Sequence, residues 1–164
     1  MLKSSLVSLT KYNLWANTKI LEFITEAGED KVDIAQNSSF PSIRKTFYHI
    51  WDAETIWLSR LDGVSFNSWP SKNFNGTLKI AGEAFLKNSQ AFVSYTESIS
   101  EEEFNAVVAY KNIEGKDFSN PVSQIVMHCM NHSTFHRGQI ITLLRTTGFT
   151  NLSSTDYIAF CRLK

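Results

Sequence analysis

Four histidines occupy two places in this chain. His49 stands alone, and His128, His132 and His136 form one run, H-x-x-x-H-x-x-x-H. Four-residue spacing stacks side chains on one face of a helix. A chain that keeps every imidazole in these two places is expected to bind a divalent transition metal through them. The chemistry open to such a site is activation of a bound water or thiol as a nucleophile.

Helix geometry narrows the choice of ligands. At about 1.5 Å rise per residue, His128 and His136 lie roughly 12 Å apart along the axis, too far to share an ion. The pair is therefore 128/132 or 132/136, and His132 belongs to both. The seam of the surrounding segment, Ile125, Cys129, His132, His136, Ile140 and Leu143, favours 132/136. A third ligand has to come from another helix, and His49 is the imidazole that remains. Spacing alone leaves a second reading open, in which seam histidines are hydrogen-bonded core residues.

Neighbouring residues carry paired readings as well. Cys129 is expected to be a small buried hydrophobe, with a thiolate ligand as the alternative. His128 is expected to support the site or the core rather than to be a ligand. Asp52, one turn after His49, either orients that imidazole or contacts the metal, or is a solvated acid. Trp51 is core or cavity wall. Arg137 binds an anionic substrate or pairs with a carboxylate at a dimer surface, and the structural role is favoured.

These residues need helices to hold them. Leu2, Leu6, Leu9, Asn13, Ala16, Ile20 and Phe23 step by four and three, which predicts a helix over 2–27 that Gly28 ends. Residues 29–40 are polar and read as loop. Pro41 opens a second helix running to about Leu61, and a long connection spans 63–76. A third helix is expected from Thr77 to about Ile99. Val107, Val108, Tyr110 and Ile113, with the turn signal Glu114-Gly115, predict a short hairpin within 105–120. Ser119-Asn120-Pro121 reads as a cap and first turn for a fourth helix that Gly148 ends. The tail 151–164, with Tyr157, Ile158 and Phe160, is apolar enough to dock on the bundle or on a second subunit. The expected class is all-α: an antiparallel four-helix bundle with a long crossover connection and a small β-hairpin before the last helix, one domain over 1–164.

Composition sets the outer bounds. The chain has 164 residues, 43% of them apolar and 13% aromatic, which excludes a disordered chain. Sixteen basic residues balance sixteen acidic ones, so a nucleic-acid partner is not expected. Apolar runs fall short of a membrane span, no signal peptide is evident, and two cysteines make no disulfide framework. A cytoplasmic protein is expected.

Three segments carry a family resemblance. Y-N-L-W-A-N at 12–17, H-I-W-D-A-E-T-I-W-L-S-R-L at 49–61 and H-C-M-N-H-S-T-F-H-R-G-Q-I at 128–140 resemble the motifs of the DinB-like (DinB/YfiT) superfamily of metal-binding four-helix bundles. The tail T-D-Y-I-A-F-C-R at 155–162 fits too. The resemblance implies His49, His132 and His136 as ligands of one divalent metal per chain, zinc or nickel foremost, and often a homodimer. Active relatives use a low-molecular-weight thiol as metal-dependent transferases or isomerases, and others are metal-dependent hydrolases. The expected function is activation of a thiol or water for transfer to, or hydrolysis of, a small electrophilic molecule. The alternative is a non-catalytic, metal-stabilised, stress-related binding or sensing module.

Overall fold

A computed structural model describes residues 1–163. Four long helices dominate it: α1 (Leu2–Ala27), α3 (Ile43–Leu61), α4 (Leu78–Ser98) and α5 (Val122–Thr146). Short helices α2 (Glu29–Val32) and α6 (Tyr157–Cys161) and an antiparallel pair, β1 (Val107–Lys111) and β2 (Asp117–Pro121), complete it. The fold is mostly helical with one small sheet. Among the described residues no helix is long and apolar enough to cross a membrane.

Local chemistry sets most of the helix ends. Gly28, at φ 88°, stops α1 in a conformation that costs glycine little. The Thr77 side chain accepts from the Ile80 N–H and starts α4. Two starts differ from the expectation. The second long helix opens on Ser42, whose hydroxyl accepts from the Lys45 N–H, and Pro41 lies just outside it. The last begins at Val122, because Ser119, Asn120 and Pro121 pair with Ala109, Val108 and Val107 in the hairpin. Proline is tolerated at that strand end. The polar segment 29–40 also holds the single turn of α2.

The four long helices share two apolar clusters. One gathers Ile20, Phe23, Phe47, Ile50, Phe85, Ile140 and Leu144, the other Leu6, Phe92, Phe104, Val126 and Met130. Along α1 and α5 the chain passes from the second cluster to the first. Along α4 it passes from the first to the second, and α3 likewise leads from Phe47 and Ile50 to Trp57 and Leu58. Thus α3 and α4 run the same way, as do α1 and α5, and among the helix pairs that pack extensively on one another the antiparallel order holds for α1 against α4 and α3 against α5. The 62–77 linker must return the length of α3, which makes it the long crossover. It carries a 3₁₀ turn, Pro70–Asn73, back across α3.

Between the apolar clusters each long helix contributes polar groups. Glu54 and Arg137 are 0% and 2% exposed. Glu54 Oε1 accepts from Asn13 Nδ2 and Asn17 Nδ2, both at 2.8 Å, and from Ser133 Oγ at 3.1 Å. Its Oε2 accepts from Ser89 Oγ at 2.6 Å. Arg137 donates to Asn13 Oδ1, Asn17 Oδ1 and Thr134 Oγ1, and its guanidinium lies 5.3 Å from the centre of the Tyr12 ring. Arg137 is thus an internal strut of this chain and not a surface group. The tail docks on α1: Tyr157 and Phe160 pack on Tyr12, whose hydroxyl donates to Thr155 O.

Candidate metal site

His49 projects from α3, and His132 and His136 from successive turns of α5, against which α3 packs. One ligand nitrogen from each of the three rings lies within 4.8 Å of the other two. His49 Nε2 and His132 Nε2 are 2.9 Å apart. In a tetrahedral zinc site with bonds of about 2.0–2.1 Å, two ligand nitrogens are separated by roughly 3.3 Å. The His49–His132 separation is close to that spacing, and the His136 nitrogen lies within 4.8 Å of both.

Burial prepares them chemically. Desolvation, with repulsion from His136 when charged, pushes the His49 pKa down to about 4. His132 is pushed to about 3 by burial and by His136, His49 and His128 in turn. Burial also lowers His136, against the opposing effect of its hydrogen bond to Gln139. Neutral imidazoles are the form a metal requires. Among the described residues the buried Nδ1 of His132 has no hydrogen-bond partner, and neither has Arg60 Nε.

Gln139, which sequence reasoning passed over, orients one ring. Its side-chain oxygen lies 2.7 Å from His136 Nδ1, and its amide nitrogen lies 3.4 Å from Ser39 Oγ. That network makes Nδ1 the donor and leaves the His136 Nε2 lone pair for a cation. The signal was present: position 139 lies three residues after His136 on one helical face. Phe40 was missed too, inside a segment read as polar loop. Its ring stacks on His49 at 4.3 Å and meets His136 edge-on at 5.7 Å. An isolated aromatic in a polar stretch was its only mark.

The structure decides between the paired readings of the neighbouring residues. Asp52 does not orient His49: its two oxygens accept from Ser71 N at 2.7 Å and Ser71 Oγ at 2.6 Å, which ties the crossover linker to α3. Burial raises its pKa, and the Ser71 bonds oppose that rise. His128 stands outside the cluster, edge-on to Trp57 at 4.9 Å. Cys129 lies in the second apolar cluster, where burial pushes its thiol well up, so the thiolate-ligand alternative falls away. Trp51 packs with Tyr48 and Phe74 in the core. The buried stripe of α5 is also wider than expected, since Ser133 and Arg137 share it, and His132 sits at its half-exposed edge.

A cavity of about 440 Å³ opens beside His49, lined by residues of α3, the segment before it and the crossover linker. The arrangement can hold a metal ion next to space for a small molecule.

Comparison with known proteins bears on the family and the fold. The chain is 27% identical over 158 residues to Protein DinB of Bacillus subtilis (strain 168), covering 91% of this chain and 89% of that protein. The crystal structure of a DinB-like protein from Bacillus cereus superposes with a TM-score of 0.64 at 17% identity, covering 85% of this chain and 90% of the other. A DinB-like protein from Bacillus subtilis gives 0.67 at 15% identity, covering 90% and 96%. These two similarities speak for the fold. The DinB family model matches residues 1–163, so the chain belongs to the DinB family.

Proposed function

We propose that His49, His132 and His136 hold one divalent transition metal, zinc or nickel, and that the protein is a metal-dependent enzyme acting on a small molecule. The observation that carries the reading is the convergence of three imidazoles that burial favours in the neutral form, one of which, His49, lines a cavity. When bound, the ion supplies the charge that makes a water or thiol acidic enough to act as a nucleophile near neutral pH. The protein's own part is positional. Gln139 holds the His136 ring, Phe40 covers the His49 face, and Trp69, 5.7 Å from His49, walls the cavity. Among the described residues the cluster comprises three ligands, which suits a catalytic centre with an open position better than a closed structural one.

The reaction is transfer of a thiol to, or hydrolysis of, a small electrophile. Metal analysis of the purified protein, followed by a panel of low-molecular-weight thiols and electrophiles with and without chelator, tests it. Stoichiometric metal with chelator-sensitive turnover is expected. Metal-free protein that cannot be loaded would end the reading, and loaded protein inert across the panel would favour the sensing alternative.

We also propose a homodimer. On α5, Met127 and Phe135 are 47% and 63% exposed. Phe74 and Phe160, in contrast, pack against their own chain. Sedimentation at micromolar concentration should give about twice the 18.7 kDa chain mass. A constant monomer mass would exclude the dimer.

A further inference from the structure

The cavity beside His49 has walls of two kinds. Phe40, stacked on the His49 ring, and Trp69, 5.7 Å from it, line the cavity with apolar aromatic surface. Lys45, from the first turn of α3, and Lys72, from the crossover turn, present cations, and neither forms an ion pair among the described residues. The one acid in the lining, Asp52, has both oxygens engaged by Ser71. The lining thus carries two positive side chains against one negative, a net of +1, before any metal adds its charge. Asp52 and Ser71 also fix the linker to α3, so Lys72 is brought to the same cavity as Lys45 by a built contact and not by chance sprawl of a loop.

We propose that the substrate entering this cavity carries an anionic group of the carboxylate type, held by Lys45 and Lys72, on a flat apolar body that lies between Phe40 and Trp69. The proposal rests on the metal reading above for the identity of the site, and it narrows that reading to a substrate class. Charge at the rim of a cavity attracts and orients such a ligand, and it discriminates against neutral isosteres. The apolar faces supply the burial that two solvent-exposed lysines cannot supply alone.

The test compares 3-phenylpropanoate with its neutral isostere 3-phenylpropanamide by calorimetric titration. Both are titrated into zinc-loaded and metal-free wild-type protein and into K45Q/K72Q. The anion is expected to bind about tenfold tighter than the amide in both wild-type forms, and the preference should fall to near parity in the metal-free variant. Metal-free protein separates the lysines from direct coordination of the carboxylate. Equal affinity for the two probes, no binding of either, or a preference that survives K45Q/K72Q in metal-free protein would each overturn the proposal. Failure to take up zinc would sink the metal reading separately, while a lysine-dependent preference in the metal-free protein would still uphold the anion site.

Discussion

Two clusters of polar side chains, one inside the helical core and one at its half-buried edge, are built on different terms. Around Glu54 and Arg137 the donors and acceptors of all four long helices meet partners inside the chain. Around His49, His132 and His136 closure is partial: His49 Nε2 meets His132 Nε2 at 2.9 Å and Gln139 holds His136 Nδ1, but among the described residues His132 Nδ1 has no partner. A closed network stabilises one packing of the helices and asks nothing of a ligand. An open one keeps ring nitrogens that a cation can take as ligands. Residues of both clusters interleave on α5, where Ser133 and Arg137 face the network and His132 and His136 face α3. One helix thus serves stability and chemistry through adjacent stripes.

Breaking the closed cluster should have the largest effect. Glu54→Ala strands a buried guanidinium and two asparagine amides, and should cost about 3–5 kcal/mol of stability. Urea unfolding of the metal-free protein reads this directly. A loss below about 1 kcal/mol would mean that the network is no more closed than the histidine cluster, and the contrast would fail.

The open cluster should respond the other way. Saturating zinc at about 100 times its Kd should raise wild-type stability by about 2.7 kcal/mol. His132→Ala should lose that increment, while its metal-free stability changes by less than about 1 kcal/mol. Thermal unfolding with and without zinc checks both halves. A variant that still gains stability from zinc would show that His132 is no ligand.

What the chain made legible follows from the range of the interactions. Helix bodies and most ends were readable because their causes are local: Gly28 after α1, Thr77 before α4, and period-four apolar steps. The convergence of the histidines was readable because two of them share one helix and the third had no rival. Asp52 was misjudged because its partner Ser71 arrives from a linker whose path no local rule supplies. Glu54 drew no notice because its partners come from three other helices. Pro121 was drawn into the hairpin by Val107, fourteen residues away. Long-range pairing is what local pattern cannot encode.

A finer break concerns orientation. Gln139→Leu removes the acceptor of His136 Nδ1–H and should weaken zinc binding by about 10–100-fold while retaining stoichiometry. Competition against a chromogenic chelator measures it. Unchanged affinity would show that packing by Phe40 and Phe135 alone fixes the ring.

The pH response distinguishes the clusters without mutation of the network. His49 and His132 titrate near 4 and 3 in the folded chain, below the ordinary histidine value of 6.5. Above 6.5 both are neutral whether folded or unfolded, so they contribute no pH dependence there. As pH falls from 6.5 towards 4, the unfolded chain takes up protons that the fold refuses, and stability declines. Metal-free wild type should therefore lose more stability over that window than a His49→Asn/His132→Asn variant. Parallel pH profiles would remove the claim that these rings are held neutral by burial.

The smallest effect should come from His128. Its ring meets Trp57 edge-on at 4.9 Å and lies 5.9 Å from the His132 ring, outside the group whose nitrogens converge. An edge-on aromatic pair contributes about 0.5–1.5 kcal/mol beyond burial, and less at an exposed position such as this one. His128→Ala should leave zinc stoichiometry intact and cost at most about 1 kcal/mol. The comparison with His132→Ala is informative because the two residues are one turn apart on the same helix and chemically identical. If His128→Ala abolished zinc binding and His132→Ala spared it, the open cluster would move one turn towards the hairpin. The cavity beside His49 would then no longer border the metal, and both the site and the anion pocket would need to be redrawn around Trp57.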